Sequence, residues 1–188
     1  MERKPQVFIS YRRDDSEGFV GRLYDHLSRH FSVDDIFMDV HAIEPGEDFV
    51  EAIEIAVRAC NVILVVIGKD WLDARDRANR RRLDLANDFV RLEIEIALQR
   101  RIRIIPLLLQ NTSMPTPDDL PSSLKQLSRY NAKDLSTIRF KQDVDELAEI
   151  IKRVVAQKSD SSLQENVEAL PIVERKDTLD SILQSEKT

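Results

Sequence analysis

Cysteine is nearly absent from this chain: Cys60 is the only one in 188 residues. A lone cysteine excludes an internal disulfide and suits a reducing compartment. Positive charge is not in excess either. The formal net charge of −6 argues against a general nucleic-acid binder, which carries a basic face. Long apolar runs are also missing. The longest, Val62–Ile67, falls far short of the roughly 20 residues needed to span a bilayer. The apolar residues 7–9 behind the charged start are too few for the h-region of a signal peptide, so the expected location is cytoplasmic, away from membranes. Neither a P-loop nor a GxGxxG fingerprint occurs, which leaves ordinary kinase or Rossmann chemistry without support.

What is present is an ordinary soluble composition, 42% hydrophobic and 33% charged, long enough for one domain with a core and a tail. Three runs rich in Val, Ile and Leu stand out at 7–10, 62–67 and 102–109, with a weaker fourth at 36–39. They do not alternate with polar residues, as expected of strands buried on both faces of a parallel sheet. Between them lie helical patterns. Phe19, Val20, Leu23, Tyr24 and Leu27 mark a helix over 17–31, and Phe49, Ile53, Ala56 and Val57 mark one over 48–60 behind a Pro45-Gly46 turn. Residues 88–101 form a third, and Leu147, Ile150, Ile151 and Val154 mark a last one over 144–155. Residues 111–121 read as a proline-rich loop, 121–130 as a short helix and 132–140 as a final, poorly marked strand. The order predicts an α/β domain over 1–157, a parallel sheet with helices on both faces. Residues 158–188 read as a polar linker and tail, with a possible helical fragment over 178–183.

Ligands of open parallel sheets bind beyond the carboxyl ends of the strands. The segments there are SYRRDDS, DVHAIEPGED, GKDWL and the proline-rich loop. Arginines in the first suit phosphate oxygens, and Tyr11 or Trp71 could stack a ring. Strand-end loops are also routinely polar with no ligand to bind.

The third helix is more informative. At about 100° per residue, Ala97 and Val90 lie roughly 40° and 60° to one side of Glu93, and Phe89 and Ile96 roughly 40° and 60° to the other. Glu93 therefore occupies the middle of the apolar face, while Glu95 falls among Arg91, Gln99 and Asp88 on the solvent side. An ionised carboxylate facing a core costs several kcal/mol unless it is paired or opens into a cavity. Either a functional site or a buried ion pair to Arg12 or Arg13 satisfies that requirement.

Other candidates carry less. Asp14 and Asp15 read as caps of the first helix. His26 and His30, at i and i+4, lack an HExxH context and read as surface residues; His41 has no partner in sight. Cys60 reads as an inert core thiol. The five arginines of 75–82 read as a solvated loop.

Taken in order, VFISYRRDDS, IFMDV with HAIEPGEDF, CNVILVVIGKDWL, DFVRLEIEIAL and IIPLLL resemble the TIR (Toll/interleukin-1 receptor) domain family, most closely its bacterial SYRR-type branch. The likeness covers residues 6–155. It implies a flavodoxin-like fold of five parallel strands, and makes the segment from Val40 to Glu47 the BB loop through which such domains self-associate. It places Glu93 on the catalytic glutamate of NAD-cleaving relatives, with Tyr11, Arg12, Arg13, Asp39, Gly46 and Trp71 as residues binding NAD+. In that reading NAD+ is the substrate, no further cofactor or metal is called for, and the domain acts in signalling or defence, alone or fused to another module. One departure is that residues 84–88, DLAND, lack the Ser or Cys that many NAD-cleaving relatives carry there. The expected activity is nicotinamide release giving ADP-ribose or a cyclic product. A non-enzymatic adaptor acting through the BB loop is the alternative, and a nucleotide sensor a weaker third.

Overall fold

A computed structural model describes residues 6–38, 48–110 and 112–168, with side chains through residue 158. The elements follow in the order β1 (Val7–Ser10), α1 (Arg13–Leu27), β2 (Ile36–Phe37), α2 (Phe49–Ala59), β3 (Val62–Ile67), α3 (Phe89–Gln99), β4 (Arg103–Leu109), β5 (Lys133–Leu135) and α4 (Phe140–Glu168). Short 3-10 turns cover Val33–Asp35, Arg82–Asp84 and Ser122–Arg129.

The five strands form one sheet in the order β2-β1-β3-β4-β5, and every pairing is parallel. Parallel strands need covered crossovers, and helices lie on both faces. The alternation of side chains along each strand decides which face receives what. Val7 and Ile9 of β1, with Val62, Leu64 and Val66 of β3, pack against α1 and α4. Phe8, Ile63, Val65 and Ile67 point the other way, onto α2, α3 and the Ser122–Arg129 turn. Central β3 is buried at all six positions, which is why its sequence shows no polar alternation. Helix α4 contributes Val144, Leu147, Ala148 and Ile151, a stripe at helical spacing.

The chain leaves β1 towards β2 on one side and returns to β3 on the other. This reversal opens a crevice at the carboxyl ends of the strands, the place where open α/β sheets bind ligands.

Several expected boundaries shift. Helix α1 starts at Arg13, so Asp14 and Asp15 lie inside its first turn, and Arg12 holds the N-cap position without a side-chain cap. They are not caps; acidic groups are favourable there through the helix dipole. The last strand is three residues long, because Ser136 and Arg139 already belong to the turn that opens α4. Helix α4 passes residue 157 and continues to Glu168. Its polar extension meets no proline before Pro171. The expected BB loop from Val40 to Glu47, with His41 and Gly46, the expected cleft residue Asp39 and the helical fragment expected over 178–183 lie outside the described residues.

Among the described residues, no helix is long and apolar enough to cross a membrane.

Candidate functional site

The cleft beyond β1 is lined by Ile9, Tyr11, Arg12, Arg13, Asp14, Met38, Arg82, Phe89, Val90 and Glu93, and the described residues enclose about 250 Å³ there. Three parts of the chain build it: the β1–α1 connection, the end of β2, and the first two turns of α3 with the segment before it. Met38 and Tyr11 also lean on the core, so the wall below them is apolar and fixed.

Glu93 stands on α3 with 5% of its surface exposed, beside the buried Val90, Ile94 and Ala97. Its place on the apolar face follows from periodicity. Glu95 lies two residues further round and accepts from Arg91 Nε at 2.7 Å on the outer surface.

The start of α3 is held by Asp88, the N-cap, whose Oδ1 accepts from Arg91 N at 3.0 Å. The same carboxylate receives both guanidinium arms of Arg12, Nη1 to Oδ2 and Nη2 to Oδ1, each at 3.0 Å. Arg12 Nε donates to the Trp71 carbonyl at 3.0 Å. Arg12 is 2% exposed, and three of its donors are committed to this network. It touches the cleft, but its chief partner is Asp88, neither Glu93 nor solvent. Arg12 thus forms a buried ion pair with Asp88.

Arg13, by contrast, is exposed at the mouth. Arg82 arrives from the arginine-rich segment, which proves to be structured. Arg75 and Arg81 form an antiparallel bridge, Asp76 N donates to Arg80 O, and Asn79 turns the chain at φ 62°, a left-handed conformation that Asn tolerates. Arg80 pairs with Asp76 and Arg81 with Asp84, so much of the apparent basic run is neutralised locally.

Trp71 does not offer a ring to a ligand. It is 0% exposed and packs in the cluster under α2 and α3, so only its carbonyl takes part in the network around the cleft. Its indole is too large and apolar to stay at a strand-end surface when a core pocket is within reach. Tyr11 lines the cleft, and so does Phe89, one turn before Glu93 and in edge contact with Phe49 at 5.3 Å between ring centroids. Phe89, Met38, Arg82 and Asp88 were not anticipated. Phe89 was visible on the helical wheel as Glu93's neighbour. Arg82 carried no signal separating it from the arginines around it.

Elsewhere, Cys60 is buried with its thiol pushed up to about 12 by desolvation, as suits an inert core residue. His26 and His30 are not plain surface residues: both face Asp145 Oδ1 on α4, at 3.5 and 2.8 Å. Among the described residues, no group of three His, Cys, Asp or Glu side chains is arranged to hold a metal ion.

A family model described as TIR domain matches residues 7–164. The chain belongs to the TIR domain family. The TIR match runs past the boundary expected at residue 157, in step with the longer α4. The TIR domains of the activated Roq1 resistosome superpose with a TM-score of 0.57 at 15% identity, covering 78% of this chain and 99% of that one, a likeness of fold. A curated relative, the NAD(+) hydrolase sarm1 of Drosophila melanogaster, is 29% identical over 132 residues, 70% of this chain. The matched stretch is 9% of that relative's length.

Proposed function

We propose that this TIR domain cleaves NAD+ at the bond between nicotinamide and ribose, with Glu93 as the catalytic residue, and that it is activated by self-association. The observation that carries the reading is a buried carboxylate at the wall of a strand-end cleft that also presents arginine and an aromatic ring. The distant likeness to a NAD(+) hydrolase supports it.

Breaking this N-glycosidic bond passes through an oxocarbenium-like state, as in glycoside hydrolysis. Nicotinamide leaves as a neutral molecule, so its departure needs no general acid. The protein's task is to hold the ribose and stabilise the positive charge growing on it. The Glu93 carboxylate, desolvated against Val90 and Phe89, supplies a negative field where the dielectric is low, and it accepts hydrogen bonds from ribose hydroxyls. Arg13 at the mouth holds phosphate oxygens, and Phe89 or Tyr11 offers a face to a ring. Water attacking the ribose carbon yields ADP-ribose; attack by the adenine ring yields a cyclic product.

Self-association through the segment over 40–47, which lies outside the described residues, is part of the proposal. It makes activity rise steeply with protein concentration, and head-to-tail contact of this kind builds open filaments unless the rotation closes a ring. The resistosome likeness is consistent with assembly.

The competing reading is an adaptor without chemistry. It is favoured by exposed apolar side chains on α2, Val50 and Ile55, the latter 62% exposed, a surface suited to a partner. The deciding experiment is NAD+ consumption with product identification at high protein concentration, wild type beside Glu93→Ala and Glu93→Gln. Nicotinamide release by wild type, reduced at least about 100-fold in both variants, is the expected result. No turnover by assembled wild-type protein transfers the assignment to the adaptor.

A further inference from the structure

The arginine-rich segment 73–84 has no part in the reaction as described so far, yet it delivers one side chain to the cleft. Its base is firmly anchored: Arg82 N donates to Ala74 O at 2.8 Å, and Leu83 is fully buried in the core under α3. Of its five arginines, Arg75 is spent on the Asn79 carbonyl, Arg80 on Asp76 and Arg81 on Asp84. Arg82 points the other way, into the cleft lined by Glu93 and Arg13.

The contacts of Arg82 are those of a side chain held in waiting. Its Nε lies 3.3 Å from Asp88 Oδ2, an oxygen already taken by Arg12 at 3.0 Å. Its Nη1 lies 3.5 Å from Asp14 Oδ2, whose side chain is 91% exposed. The long contact to solvated Asp14 contributes little, so an incoming anion displaces it at small cost while the Nε contact to Asp88 is kept. Arg12 is closed to this role by its own network. The planar fork of a guanidinium matches two oxygens of a phosphate.

We propose that Arg82 is a diphosphate-recognition residue of this site beside Arg13, brought to the cleft by the 73–84 hairpin, and that it sets the preference for dinucleotides over ribosides that lack phosphate. The proposal rests on the reading of the cleft as the NAD+ site. It adds Arg82 to Arg13 in binding the phosphates and leaves the chemistry at the ribose to Glu93.

Two substrates test it. NAD+ carries the diphosphate, and nicotinamide riboside has the same scissile bond without any phosphate. For Arg82→Ala, KM for NAD+ is expected to rise about tenfold, the equivalent of roughly 1.4 kcal/mol, with kcat within about twofold. Its kcat/KM for nicotinamide riboside should match wild type, and Arg82→Lys should fall between the two. Arg77→Ala removes the same charge from an exposed position of the hairpin and should behave as wild type on both substrates. An unchanged KM for NAD+, or an equal loss on both substrates, overturns the assignment. A thermal midpoint for Arg82→Ala close to wild type excludes collapse of the hairpin as the cause. Calorimetric binding of ADP-ribose and adenosine separates this proposal from the assignment of catalysis. If wild type turns over no NAD+, Arg82-dependent binding of ADP-ribose with adenosine unaffected still upholds the recognition role. Absence of ADP-ribose binding overturns it.

Discussion

The Arg12 guanidinium grips the Asp88 carboxylate through two parallel contacts of 3.0 Å, with both side chains almost wholly out of solvent. The pair joins the first turn of α1 to the first turn of α3 across 76 positions of sequence, and it thereby fixes the two walls of the cleft relative to each other. Removing one member leaves an uncompensated buried charge. Arg12→Ala or Asp88→Ala should each destabilise the domain by roughly 3–5 kcal/mol in denaturant unfolding. A double replacement by Met and Leu should cost clearly less than the sum of the single changes. Equal, additive losses would show that the two groups act independently.

Trp71 separates a stacking role from a packing role. The ring is buried and its Nε1 has no hydrogen-bond partner, so Trp71→Phe loses some packing and also removes an unsatisfied buried donor. The two effects oppose each other, and the net loss of stability should be about 1 kcal/mol or less. KM for NAD+ should stay within about twofold of wild type. A large rise in KM at unchanged stability would return the indole to the ligand.

Gly68 stands where a side chain has no room. A Cβ there would overlap Oδ2 of Asp15, whose Oδ1 accepts from Asp70 N at 2.9 Å and ties the β3 exit to α1. Gly68→Ala should cost about 1–3 kcal/mol through overpacking. The same change should cost much less in an Asp15→Ala background, which a double-mutant cycle measures directly.

Asp145 gives the domain an acid-side dependence. Its carboxyl is held below the usual range, chiefly by the hydrogen bond from His30 and then by the nearby charges of His30, His26 and Lys141. A carboxylate whose folded pKa is depressed contributes stability that is present above its unfolded value, about 3.9, and is lost as pH falls through the folded value. Asp145→Asn should therefore flatten the fall in stability below about pH 4 and lower stability slightly at neutral pH. Thermal midpoints of both proteins from pH 3 to 7 are the measurement. Parallel curves would show that the contact between α1 and α4 contributes nothing through charge.

Much of the architecture was legible because it is written in neighbouring residues. Val62–Ile67 is apolar at every position, and such a run suits a strand buried on both faces. The alternation of runs and helical stripes then left a parallel sheet as the natural outcome. Glu93 was legible for the same reason, since 3.6-residue periodicity places it among Val90, Ile94 and Ala97, and the structure buries it there. Phe89 was legible too, but its position read as core.

What the sequence could not decide is which of several similar side chains meets which distant partner. Arg12 and Arg13 are adjacent, yet one is buried on Asp88 and the other exposed, and their difference comes from a residue 76 positions away. Five arginines in 75–82 look alike in one dimension; only the hairpin fold sends Arg82 to the cleft and Arg75, Arg80 and Arg81 to local partners. Trp71 lies in a strand-end loop by sequence, and the space available beneath α2 and α3 draws its ring inward. Periodicity and composition are local properties, so the sequence by itself determined the elements and their buried faces. Pairing of charges and filling of space depend on which surfaces the fold brings together, and these the tertiary structure alone decided.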